Sequence, residues 1–164
     1  MSANPPLIDP QHADFLQSGV SLSVGACDNQ RMPTLARATG CRLSPDRRQV
    51  TIFISATQGA PVLRCVRENG AITVVFSRPS THRTVQIKGK DAVVGGLLAG
   101  DLDIVERYRS SFARELDPLG FDEILIRTLL AAPPADLVAV TFTPLEAYSQ
   151  TPGPNAGEPL KAQA

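Results

Sequence analysis

Residues 72–90 read ITVVFSRPSTHRTVQIKGK, two runs of alternating apolar and polar side chains around Ser77-Arg78-Pro79-Ser80. Alternation at a period of two places Ile72, Val74 and Phe76 on one face, and the return run from Thr81 to Lys90 puts Val85 and Ile87 opposite Thr84, Gln86 and Lys88. A proline-containing turn between two such runs predicts a β-hairpin with one buried and one polar face. The same grammar extends upstream. Val20, Leu22 and Val24 alternate as a half-buried strand, Asp28-Asn29-Gln30 supplies a turn, and Thr34 to Leu43 is expected to return as one strand. Ser44-Pro45-Asp46 then turns the chain into VTIFIS (50–55), whose β-branched and aromatic run reads as a core strand buried on both sides.

The period changes after Ala60. Pro61 suits a first helical turn, Val62, Leu63, Cys65 and Val66 share a face, and Asn69-Gly70 is a stop signal, so a short helix lies between strands. Leu102, Val105, Tyr108, Phe112 and Leu116 recur at spacings of three and four, predicting an amphipathic helix over 101–116 that ends at Asp117, Pro118 and Gly120. A second helix is expected over 124–131, stopped by Pro133-Pro134, and a last strand over 137–142. Hairpin-length links favour an antiparallel barrel over a parallel sheet, so the expected fold class is α+β, mainly β: a small antiparallel split barrel with a helix between strands and C-terminal helices. Residues 1–13 read as a Pro-rich leader, Asp14 to Ser18 as the close of a short entry helix, 14–143 as the domain, and 144–164 as a Pro/Gly-rich arm, extended or disordered.

Composition narrows the function. The chain has 164 residues with 16 Lys plus Arg against 16 Asp plus Glu, a balance that gives no footprint for nucleic acid or an anionic membrane. No run approaches the ~18 apolar residues of a membrane span, and no basic-then-apolar leader is present, so a soluble cytoplasmic protein is expected. Cys27, Cys41 and Cys65 lack metal-ligand spacing and read as free, buried thiols; with only His12 and His82, no metal is expected. Phosphate-loop, dinucleotide and serine-esterase signatures are all missing. Asp101, Asp103 and Glu106 are sufficiently explained as complements to a helix macrodipole.

One stretch invites an anion. Ser55-Ala56-Thr57-Gln58 leads into the short helix with two hydroxyls and backbone N–H groups, and Arg64 follows one turn in. The alternative is an ordinary helix start with a solvent-facing arginine. Arg37 and Arg83 are the stronger cationic candidates, while Arg78 and Lys88 read as solvated strand positions and His82 as an exposed turn residue.

From Val20 to about Val94 the chain resembles the pyridoxamine 5'-phosphate oxidase-like family of FMN-binding split barrels, chiefly in RTVQIKG (83–89). Arg83 and Val85 match that family's flavin-contacting strand, with Thr84 in place of a glutamine. Arg37 falls one position from the family's second-strand arginine, and Ser55 and Ala56 stand where a Tyr-Thr pair approaches the flavin. Pro61 and Val62 occupy the positions of the family's phosphate-binding Arg-Lys pair, which leaves Thr57, Gln58, Arg64 and backbone amides to hold a phosphate. The resemblance implies FMN, a homodimer with flavin at the interface, and a small-molecule substrate or electron donor. The pyridoxal-phosphate residues of the true oxidase are not recognisable, so the vitamin-B6 reaction is not implied. The alternative is a module on the same barrel that binds haem or another cofactor, or none.

Overall fold

The computed structural model describes residues 5–161. Nine strands form two antiparallel sheets: β1 (Ser21–Cys27), β2 (Pro33–Arg37), β5 (Ile72–Ser77), β6 (Thr84–Gly89) and β9 (Glu146–Ser149) in the order β2-β1-β5-β6-β9, and β3 (Cys41–Leu43), β4 (Val50–Ser55), β7 (Val93–Gly95) and β8 (Leu137–Phe142) in the order β3-β4-β8-β7. The helices are α1 (Pro10–Leu16), α2 (Ala60–Asn69), α3 (Asp101–Leu116) and α4 (Glu123–Leu129). The fold is α+β, as the strand and helix periods require.

The core lies between the sheets. Leu22, Val24, Val74, Phe76 and Ile87 from the five-stranded sheet join Ile52, Ile54, Val140 and Phe142 from the other, all essentially excluded from solvent. Every residue of β4 is buried, which is why VTIFIS carries no alternation. The α2 face of Val62, Leu63 and Val66 packs into this core and lies against β1, β2 and β7, with Gly70 ending the helix in the left-handed region.

The expected single strand over 34–43 is two strands in different sheets. Ala38 N–H still donates to Leu22 O of β1 (3.1 Å), whereas Thr39 N–H donates to Phe53 O of β4 (2.8 Å), so the chain changes sheets within one residue. Gly40 makes the corner at φ +142°, a conformation that penalises any Cβ. The hairpin of 72–90 forms in the expected register, Val74 opposite Ile87 and Phe76 opposite Val85. Its second strand starts at Thr84 rather than Thr81, because His82 at φ +58° belongs to the turn.

Residues 1–4 of the leader and 162–164 of the arm lie outside the described residues; the described parts of both segments hold secondary structure, α1 starting at Pro10 rather than closing over 14–18. In the leader, Asp9 caps α1 by accepting from His12 N–H (2.7 Å), and Ile8 is buried in the core. In the segment read as an extended or disordered arm, β9 pairs with the open edge of β6, flanked by Leu145 N–H to Lys88 O (2.8 Å) and Gln150 N–H to Thr84 O (2.8 Å). An unpaired edge leaves backbone donors and acceptors unsatisfied, and this short strand meets them. In α3, Leu102 is exposed and Asp101 is buried instead. Asp101 is therefore more than a dipole complement: its carboxylate takes Arg42 Nε (2.9 Å) and Leu98 N–H (2.8 Å) and ties α3 to β3. Among the described residues no helix is long and apolar enough to cross a membrane.

Candidate functional site

The ladder between β4 and β8 sets Ser55 opposite Leu137, which brings Asp136, the end of a single 3-10 turn (Pro134–Asp136), against the loop ahead of α2. Asp136 Oδ1 accepts from Thr57 N–H (3.0 Å) and from the Thr57 hydroxyl (2.6 Å), and Oδ2 accepts from the Ser55 hydroxyl. The Asp136 carbonyl accepts Ala56 N–H (2.6 Å). Gln58 N–H donates to Ser55 Oγ (3.0 Å) and Gly59 N–H to Ser55 O (2.8 Å). Four consecutive backbone N–H groups, Ala56 to Gly59, are thus spent within the chain, and Pro61 has none to offer. The hydrogen bonds from Ser55 and then Thr57 hold the Asp136 carboxyl below the ordinary aspartate range, so at neutral pH the loop contains a carboxylate. Gly59 permits the tight turn: a Cβ there would stand 2.3 Å from Ile54 Cγ2 and 3.0 Å from Ser55 O.

The remaining candidates lie elsewhere. Arg37, exposed at the end of β2, donates from Nη1 to Ser21 Oγ (3.2 Å). Ser21 stands opposite Ser77, whose hydroxyl meets Thr84 Oγ1 at 2.8 Å, so Arg37 and Thr84 belong to one polar end of the five-stranded sheet. The Thr84 hydroxyl also donates to His82 O (2.9 Å). Arg83 stacks its guanidinium over the buried Phe15 ring of α1, 4.4 Å from the centroid, with Arg78 over the same ring at 5.5 Å. Arg64 is exposed on α2, and His82 is exposed in its turn. The structure therefore unites Ser55, Ala56, Thr57 and Gln58 in one loop, sets Arg37 and Thr84 at the end of the other sheet, and directs Arg83 to α1.

Sequence reasoning missed a groove of about 630 Å³ at the opposite end of that sheet. One cross-strand row supplies Leu35, Gly25, Thr73, Lys88 and Glu146, and Cys27 and Leu145 complete the walls. Gly25 leaves the floor bare, since a Cβ there would approach nothing closer than 3.9 Å. Leu35 is 74% exposed on the rim and Met32 61% exposed in the turn nearby. A glycine facing outward in a strand with exposed leucine opposite is the signal that could have found it. All three cysteines are free, and burial pushes the Cys41 thiol up to about 12. Among the described residues no cluster of His, Cys, Asp or Glu could hold a metal.

No protein-family model matches the sequence, and no curated protein matches it. Solved structures do. HupZ from Group A Streptococcus superposes with a TM-score of 0.55 at 15% identity, over 92% of this chain and 99% of that one. An F420 reductase gives 0.52 at 14% identity over 82% and 93%, and a putative pyridoxamine 5'-phosphate oxidase from Lactobacillus delbrueckii gives 0.52 at 9% over 90% and 97%. The fold is the pyridoxamine 5'-phosphate oxidase-like split barrel. At these identities the likeness is one of fold, and it spans nearly the whole of each split-barrel chain.

Proposed function

We propose that this split barrel is a cytoplasmic homodimer that binds a flavin, FMN being the form its fold implies, and serves as an oxidoreductase on a small-molecule substrate. The observation that supports this reading is the shared fold, which includes an F420 reductase and a putative pyridoxamine 5'-phosphate oxidase. Exposed Leu35 and Met32 beside the groove suit the second copy that a homodimer requires. Arg37 and Thr84 remain the candidates for polar contact to a flavin ring, and Arg83 the candidate for holding that end of the sheet in place.

The phosphate end of FMN does not fit the loop at Ser55–Gln58. Its hydroxyls and N–H groups already have acceptors, and the one that takes both hydroxyls and Thr57 N–H is anionic. That observation favours a second reading, a module on the same barrel that holds haem or another cofactor, or none.

A visible absorption spectrum of the purified protein, repeated after adding FMN and removing the excess, separates the two. Retained flavin bands are expected on the first reading, with Arg37→Ala weakening retention by about 1.5–3 kcal/mol through a lost charge-assisted hydrogen bond. A colourless protein that takes up haem and no flavin would transfer the assignment to the second.

A further inference from the structure

We propose that Asp136 is a specificity-determining residue: its carboxylate fills the oxyanion place ahead of α2, so a ligand bound beside this loop is selected for an uncharged end there, and a phosphate adds nothing to its affinity. The ligand class, a flavin-like ring without a phosphate requirement, rests on the flavin reading above. The closure of the loop by Asp136 does not.

A phosphate bound at a turn draws on consecutive backbone N–H groups and nearby hydroxyls. Here the N–H groups of Ala56, Thr57, Gln58 and Gly59 and the hydroxyls of Ser55 and Thr57 all have internal acceptors. The two carboxylate oxygens and the backbone carbonyl of one residue account for four of those six donors. A phosphate of roughly −1.5 to −2 charge would meet an ionised carboxylate at hydrogen-bond range, where like charges repel. Asp136 reaches the loop from 79 residues away in sequence, held there by the β4–β8 ladder, so its presence is built into the sheet. The cation nearest in sequence, Arg64, is exposed on α2.

Riboflavin and FMN are titrated into the purified protein and followed by flavin fluorescence. Affinities within about threefold of each other are expected, and FMN tighter by tenfold or more, which is about 1.4 kcal/mol, overturns the proposal. In Asp136→Ala the freed donors should give FMN a preference of about tenfold, and an unchanged ratio counts against the proposal. Asp136→Asn, which removes the charge and keeps an acceptor for Thr57, provides the same comparison where the alanine variant does not fold. A readout without flavin uses inorganic phosphate and the amide NMR signals of Ala56 and Thr57. No displacement in the wild-type chain and displacement in Asp136→Ala support the role of Asp136, while displacement in the wild type overturns it. Failure of both flavins to bind would defeat the proposed function and leave the phosphate titration to decide the role of Asp136.

Discussion

The loop ahead of α2 and the groove on the five-stranded sheet use their chain in opposite ways. The loop is rich in donors and gives none of the six from Ser55 to Gly59 away, since Asp136 takes four of them and Ser55 the other two. The groove has few polar groups but remains open over a bare glycine, with Lys88 and Glu146 at one side. Donor-rich sequence is thus a poor guide to an available site, because donors placed near a folded chain find partners in it. Space is better marked by what is missing, such as the side chain at Gly25.

The largest test of this contrast is one substitution made twice. Gly59→Val forces a branched side chain into a space where even Cβ stands 2.3 Å from Ile54 and 3.0 Å from a backbone oxygen. Overpacking of this kind is expected to cost about 2–3 kcal/mol in a denaturant titration. Gly25→Val points into the groove, where the nearest atoms lie at 3.9 Å, and should leave stability within about 0.5 kcal/mol while reducing the groove volume. Equal losses at both positions would mean that the two regions are packed alike.

Next in size is Ser55→Ala. Ser55 is buried, and its hydroxyl both donates to Asp136 and accepts from Gln58 N–H. Removal is expected to cost about 1 kcal/mol, with Gln58 N–H becoming faster to exchange. A neutral result would mean the loop is not held by this network. On the groove side, the Lys88 side chain makes a cation–π contact, with Nζ 5.2 Å from the Tyr148 ring centre, so Lys88→Ala should cost about 0.5 kcal/mol. A loss exceeding that for Ser55→Ala would reverse the ranking.

How much of this was legible depends on distance along the chain. The hairpin over 72–90, the buried β4, and helices α2 and α3 follow from periods within a single segment, and the pattern stated them correctly. The break at Gly40 was hidden because Thr34–Ala38 and Cys41–Leu43 both read as strand, and only the bonds to β1 and β4 reveal the change of sheet. β7 and β9 are three and four residues long, too short for a period, and exist because edges of β8 and β6 needed partners. At the site, the polar composition of Ser55–Gln58 was visible while its acceptor was not. Asp136 meets Ser55 across 81 residues, and nothing in either segment announces the other. The role of Asp101 is hidden for the same reason, since its partner Arg42 is 59 residues away.

The finest test asks whether the loop is closed by charge. Ser55 and then Thr57 lower the Asp136 pKa from the ordinary 3.8, so the native state releases this proton more readily than the unfolded chain. The resulting stabilisation is fully present above the unfolded value and is lost as pH falls through the lower native one. A carboxyl-carbon NMR titration should therefore find the Asp136 midpoint below 3.8, and Ser55→Ala should move it upward because the largest cause has been removed. A wild-type midpoint at or above 3.8 would mean that the carboxyl competes poorly for the loop's donors. In that event a ligand phosphate could displace it, and the loop would resemble the groove as a place still open to a partner.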